Sequence, residues 1–97
     1  MDKLKVIEAK RLRALIIKAC YDAYPGSLLK GTIKRAFSGN YSNLEVDKAI
    51  EYLKGSGKEY ITESDADGSV DEEILIKLTS KGVDLMDETI EDPGVGF

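Results

Sequence analysis

The sequence predicts an α+β fold in which three helices are followed by a β-hairpin and a last helix. Two observations carry this prediction. Apolar residues recur at the three-four spacing of amphipathic helices as far as about residue 54, and from Glu59 onward short β-forming runs flank an acidic, glycine-containing stretch. At 97 residues the chain has room for one core and no second domain. We expect one domain over residues 1–90 and a tail over residues 91–97.

The first helix is predicted over residues 4–24 and ends at Pro25-Gly26. Its apolar stripe consists of Leu12, Leu15, Ile16, Ala19, Cys20 and Ala23. Because Cys20 lies on this stripe, we expect a buried structural thiol. Ile17, Tyr21 and Tyr24 lie partly off the stripe. They fit either a dimer seam or packing against the last helix, and packing is the favoured interpretation.

Two shorter helices are predicted next. The second begins soon after Ser27 and runs to about Phe37, with Leu29, Ile33, Ala36 and Phe37 facing inward and Lys30, Lys34 and Arg35 pointing away. A turn over residues 38–41 leads to the third helix. Ser42 and Glu45 have the spacing of a capping box, in which the hydroxyl and the carboxylate each accept from a backbone amide. The inner stripe of this helix is Val46, Ala49, Ile50 and Leu53, and residues 55–57 end it.

The remainder of the chain predicts a hairpin and a last helix. Tyr60-Ile61-Thr62 and Ile74-Leu75-Ile76-Lys77-Leu78 are rich in β-formers and flank a long acidic loop over residues 64–73. Thr79 is suited to cap a helix over residues 80–90 that buries Val83, Leu85 or Met86, and Ile90. Residues 91–97 have no helical potential.

The order helix, helix, short turn, capped helix, hairpin, helix is that of a winged helix. Leu78-Thr79-Ser80-Lys81-Gly82-Val83-Asp84-Leu85 resembles the strand-to-helix junction of bacterial winged-helix regulators, and the likeness to this superfamily covers residues 4–90. Thr89-Ile90-Glu91-Asp92-Pro93-Gly94-Val95 resembles the C-terminal signature of small winged-helix proteins encoded in phages and prophages. The resemblance implies a cytoplasmic transcriptional regulator that binds double-stranded DNA, as a monomer or as a dimer.

The resemblance also implies which residues would contact DNA, because the third helix normally enters the major groove while the second crosses the backbone. Lys30, Lys34 and Arg35 would contact phosphates, and Ser42, Asn43, Lys48 and Tyr52 would lie nearest the bases. Lys54 and Lys58 add positive charge to the same region.

The distribution of charge supports an alternative. Residues 1–40 carry nine Lys/Arg against three acids, a net charge of +6, whereas residues 41–97 carry five Lys against fifteen acids, a net charge of −10. Where a DNA-contacting wing offers Lys or Arg, this hairpin has Glu63, Asp65, Asp67, Asp71, Glu72 and Glu73. Asp47 and Glu51 on the third helix also oppose phosphates. The chain would then be a protein-interaction winged helix that binds a basic surface, or itself head to tail, and not DNA.

The sequence gives no support to catalysis, a cofactor or a metal. It has no histidine and a single cysteine, which excludes an ordinary zinc site and His-based chemistry. Gly55-Ser56-Gly57-Lys58 lacks the spacing of a phosphate-binding loop. Residues 65–73 resemble an EF-hand calcium loop, but with Gly68 as the loop glycine, Ile74 falls where the bidentate Glu belongs. We therefore expect a solvated hairpin tip.

Composition also bears on the compartment. The longest aliphatic run, Ala14-Leu15-Ile16-Ile17, is far shorter than the roughly 20 residues that span a bilayer. Met1-Asp2-Lys3 does not open a signal peptide. We expect a cytoplasmic protein with no membrane partner.

Overall fold

The computed structural model describes residues 2–65 and 70–97. Within these ranges the chain forms four α-helices and one three-stranded antiparallel sheet, so it is an α+β protein, as the sequence predicts. In chain order the elements are α1 (Lys3–Ala23), β1 (Ser27–Leu29), α2 (Lys30–Phe37), α3 (Asn43–Lys54), β2 (Ile61–Asp65), a 3-10 turn (Asp71–Glu73), β3 (Ile74–Leu78) and α4 (Ser80–Met86).

Side-chain caps fix the starts of three helices by accepting from backbone amides that have no partner within the helix. The Asp2 carboxylate accepts from the amide of Leu4 at 3.0 Å. At α3 the predicted capping box is confirmed, since Ser42 accepts from the Glu45 amide at 3.1 Å while Glu45 accepts from the Ser42 amide at 2.9 Å. The predicted cap of α4 is confirmed as well, with Thr79 accepting from the Gly82 amide at 3.1 Å.

The sheet has the order β1-β3-β2, with both pairings antiparallel. The predicted strand over residues 74–78 is confirmed, whereas the strand predicted over residues 60–62 begins at Ile61 and extends into the predicted loop as far as Asp65. The two strands pair from Ile61 opposite Leu78 to Asp65 opposite Ile74. The predicted hairpin of two strands is therefore present, and α2 begins at Lys30, soon after Ser27 as predicted; the strand between them, β1, was not predicted. Ser27–Leu29 is a strand because it pairs with the second edge of β3 and satisfies backbone groups there.

The core lies between α1, α3 and the inner face of the sheet. Its most completely buried side chains are Leu12, Ile16, Ile17, Cys20, Ile33, Val46, Ile50, Leu53, Ile61, Ile76 and Leu78. The predicted inner stripe of α3 is confirmed, and so is the buried thiol of Cys20. Ile17 is fully buried and the Tyr21 hydroxyl donates to Asp87 at 3.1 Å, so these two residues pack within the domain, as favoured, whereas Tyr24 is exposed.

The last helix is shorter than predicted, because α4 ends at Met86 instead of residue 90. Glu88 has a φ of 63°, a left-handed conformation that does not continue a right-handed helix. At its start α4 packs closely on the chain before β2. A Cβ on Gly82 would lie 2.4 Å from the backbone oxygen of Tyr60, so this approach requires glycine.

The segment from residue 91 to residue 97 packs against α1. Val95 is buried in the core, and the Gly96 amide donates to the carbonyl of Lys10 at 2.9 Å. Arg13 donates to the Gly94 carbonyl at 3.0 Å. These contacts attach the segment to the helical layer and place Phe97 beside α1.

Candidate interaction surface

Lys30 begins α2 and is directed toward the acidic hairpin. The sequence predicts that this side chain points away from the core, but the structure buries it to 8% exposure. Its ammonium nitrogen lies 3.1 Å from Asp71, 3.5 Å from Asp47 and 3.9 Å from Glu63. A buried ammonium needs such partners because desolvation of an unpaired charge is costly. The residue therefore joins α2, α3 and the hairpin.

Lys34 lies one turn further along α2 and shares two of these carboxylates. Its nitrogen is 3.1 Å from Asp47 and 3.4 Å from Asp71. Burial lowers the pKa of Lys34, but the hydrogen bonds and negative charges of Asp47 and Asp71 outweigh this effect and raise it above its ordinary value. The pKa of Asp71 is lowered, first because Lys30 donates to it. Both lysines are thus paired with carboxylates of the same domain.

Lys54, at the end of α3, makes the same kind of contact with the opposite edge of the hairpin. It lies 3.1 Å from Glu51 on its own helix and pairs closely with Glu63 on β2. Donation of hydrogen bonds to Glu63, and then to Glu51, raises the pKa of Lys54. We call Lys30, Lys34 and Lys54 with Asp47, Glu51, Glu63 and Asp71 the charge network. It contains three of the nine residues that the sequence predicts for DNA contact.

Three more of the predicted residues lie at the junction of α2 and α3. Arg35 is exposed, and its guanidinium donates to Thr32 at 3.4 Å. Asn43 is exposed and lines a shallow groove of about 220 Å³ together with Arg35 and Lys34. Ser42 lies beside them, but its hydroxyl and its amide are both used in the capping box. The structure therefore brings Arg35, Ser42 and Asn43 together at the start of α3.

Lys48 is exposed but lies beside α1. It lines a cavity of about 120 Å³ between the two helices, with Ala9 and Arg13 on the other side.

The most exposed large apolar residue of α3 is Leu44, with 63% of its surface accessible. The outward face of α3 therefore combines Leu44 with the carboxylates of Asp47 and Glu51.

Tyr52 and Lys58 belong to a separate cluster around Asp92, a residue of the C-terminal segment. The Asp92 carboxylate, 5% exposed, accepts from Tyr60 at 2.7 Å and from Lys58 at 3.0 Å. It also accepts from the Gly94 amide at 2.8 Å, and from Tyr52 at 3.4 Å. The aromatic ring of Tyr52 is covered by Arg13, whose guanidinium carbon lies 3.8 Å from the ring centroid.

The hydrogen bonds of this cluster shift the pKa values of Asp92, Tyr60 and Lys58. Burial raises the pKa of Asp92, but donation from Tyr60, Lys58 and Gly94 outweighs it and brings the pKa to about 2. Burial, followed by the hydrogen bond to Asp92, raises the pKa of Tyr60 to about 12. Donation to Asp92 raises the pKa of Lys58 above its ordinary value. The cluster attaches residues 91–97 to α3 and β2, so Tyr52 and Lys58 have structural partners.

The sequence does not predict the Asp92 cluster. It predicts that the acids of the hairpin and of α3 oppose DNA or bind a basic surface, but not that they pair with lysines of the same domain. The sequence pattern that could have indicated these ion pairs is the presence of Glu63 and Asp71 on one hairpin together with lysines one turn apart on a neighbouring helix. Asp67 and Gly68 of the predicted hairpin tip, and with them the centre of the calcium-loop look-alike, lie outside the described residues.

No group of three or more metal-ligating side chains occurs among residues 2–65 and 70–97. Over the same part of the chain, no helix is long and apolar enough to cross a membrane. No protein-family model, curated protein or solved structure matches the chain.

Proposed function

We propose that the chain is a winged-helix domain that binds a protein partner through the acidic face formed by α3 and the hairpin. Its elements follow the winged-helix order, with β1 as a third strand beside the hairpin. The likeness of Thr89-Ile90-Glu91-Asp92-Pro93-Gly94-Val95 to small phage and prophage proteins supports a phage-type role. The face combines exposed Leu44 with the carboxylates of the charge network.

One observation carries this proposal. The lysines of α2 and α3 that would neutralise DNA phosphates are already paired with carboxylates of the same domain. Lys30 and Lys34 lie within 3.5 Å of Asp47 and Asp71, and Lys54 pairs with Glu51 and Glu63. A phosphate would have to displace these carboxylates and would meet their negative charges. A basic partner would instead be attracted by Glu72 and Glu73 beside the network, which are exposed and form no ion pair among the described residues, because electrostatic complementarity guides association.

A titration with two probes tests the proposal. The first is a labelled random DNA duplex at low salt, and the second is a labelled lysine- and leucine-rich peptide, both followed by fluorescence anisotropy. We expect the protein to bind the peptide and not the duplex. The double substitution Asp47→Asn with Asp71→Asn should abolish peptide binding and create salt-sensitive duplex binding, because it releases two lysines. The double substitution Asp22→Asn with Asp84→Asn is the matched control, since it removes two exposed carboxylates elsewhere.

Binding of duplex DNA by the unsubstituted protein, with no binding of the peptide, would overturn the proposal. The second candidate function, a DNA-binding regulator, would then take its place. It is favoured by the exposed Arg35 and Lys48, which form no ion pair among the described residues, and by the exposed amide of Asn43. Under that function, Lys34→Glu with Arg35→Glu should abolish duplex binding, and binding should weaken steeply with added salt.

A further inference from the structure

A second surface lies along α1, at the side of the domain where residues 94–97 end. Ile7, Ala14 and Leu15 of α1 and the ring of Phe97 line a groove of about 470 Å³. Ile7 has 58% of its surface exposed and Phe97 has 66%. Leu4, 70% exposed, lies one helical turn before Ile7 and extends the same stripe. Three of the largest exposed apolar side chains are therefore gathered on one side.

The wall of this groove is held in place by the backbone. The Gly96 amide donates to the carbonyl of Lys10, and Val95 is buried in the core directly before it. A Cβ on Gly96 would lie 3.1 Å from the Cβ of Lys10, so the segment already lies close against α1. Phe97 consequently lies beside Ile7 and Leu15 and forms one apolar wall of the groove.

The groove is bordered by positive charge. Arg11 and Lys18 line it and are exposed. Neither forms an ion pair among the residues that the structure describes. In this they differ from Lys30, Lys34 and Lys54, which are paired with carboxylates. The groove therefore offers apolar contacts and two cations that are available to a ligand.

We propose that this groove binds an acidic amphipathic helix of a partner protein. From Ile7 to Lys18 the groove follows eleven residue steps of α1, or about 17 Å, which matches about three turns of helix. Apolar side chains at positions i, i+3 or i+4, and i+7 of the partner occupy the groove, and flanking Asp or Glu residues pair with Arg11 and Lys18.

Charge selects this occupant over a second copy of the chain. Two copies packed along the stripe would bring the Arg11 side chain of one copy close to the cations of the other, and like charges at an interface oppose association. The proposal is independent of the acidic face described above, since the two surfaces share no residue.

Two labelled synthetic peptides test the proposal by fluorescence anisotropy. Both carry leucines at helical i, i+3, i+7 spacing, and the flanking positions are Glu in one peptide and Lys in the other. The protein should bind the acidic peptide in the groove. Arg11→Glu with Lys18→Glu should abolish this binding. Asp47→Asn with Asp71→Asn, which removes binding of a basic peptide by the acidic face, should leave it unchanged. Ile7→Ser and Phe97→Ser should each weaken binding of the acidic peptide at least about tenfold, because each removes an apolar anchor.

Leu29→Ser is the control, because it removes an exposed apolar side chain outside both proposed surfaces and should leave acidic-peptide binding unchanged. Far-ultraviolet circular dichroism of every variant establishes that it is folded. The proposal is overturned if the protein does not bind the acidic peptide, or if binding of that peptide survives charge reversal at Arg11 and Lys18. Sedimentation that shows a dimer dissociated by Ile7→Ser would also overturn it, because the groove would then be covered by a second copy.

Discussion

Replacing Asp92 with asparagine tests the physical role of the cluster that attaches residues 91–97. The carboxylate has a pKa of about 2 in the folded protein, against an ordinary value of 3.8. Because the folded-state pKa is lowered, the ionised carboxylate stabilises the fold at neutral pH, and this contribution is lost as the pH falls through about 4 toward 2. At about 1.4 kcal/mol per pKa unit, with allowance for screening by solvent, the contribution is about 1 to 2 kcal/mol.

We therefore expect Asp92→Asn to lower the free energy of unfolding by about 1 to 2 kcal/mol at pH 7, measured by urea denaturation. The substitution removes the negative charge beside Lys58 and turns one acceptor into a donor. The difference between the two proteins should shrink as the pH is lowered from about 4 to about 2. The matched control is Glu91→Gln, which changes an exposed neighbouring carboxylate and should have little effect. A difference in unfolding free energy that stays constant down to pH 2 would refute the reasoning.

Three further predictions concern stability and reactivity. Ser42→Ala should lower the free energy of unfolding by about 1 kcal/mol, because it removes half of the capping box of α3. Gly82→Ala should lower the free energy of unfolding by about 1 to 3 kcal/mol, since its Cβ would meet the Tyr60 carbonyl, whereas Gly39→Ala has open space and should be nearly neutral, both measured by thermal or urea denaturation. Cys20 should react with a thiol reagent much more slowly in the folded protein than in urea, because burial raises its pKa to about 12; equal rates would contradict the buried placement.

Much of the fold could be predicted from local sequence signals. The capping box at Ser42, the Thr79 cap and the apolar stripe of α3 each depend on residues within one or two turns of one another, so their spacing is visible in the sequence. The strand Ser27–Leu29 could not be predicted in this way. Three residues are too few to show a period, and this strand exists because β3, more than forty residues later, offers it an edge.

The candidate site shows the same division. The sequence correctly identifies which residues carry charge, but not which charges meet. Lys30 contacts carboxylates from α3 and from both sides of the hairpin, and these distances depend on how the hairpin folds back over α2. Tyr52 is a second example. Helical periodicity places it on the outward face of α3, but its hydroxyl donates to Asp92 and its ring is covered by Arg13, and both of these partners are distant in the sequence.

The central claim is that the hairpin is held on α2 by charge, so that Lys30 and Lys34 are occupied within the domain. Titration of the Asp71 carboxyl group, followed by the ¹³C chemical shift in the protein and in Lys34→Met, tests this claim most directly. The account predicts that Asp71 titrates below its ordinary pKa of 3.8 in the protein and closer to that value in the variant. A titration at the ordinary value in both proteins would contradict it, because Asp71 would then lie away from the lysines.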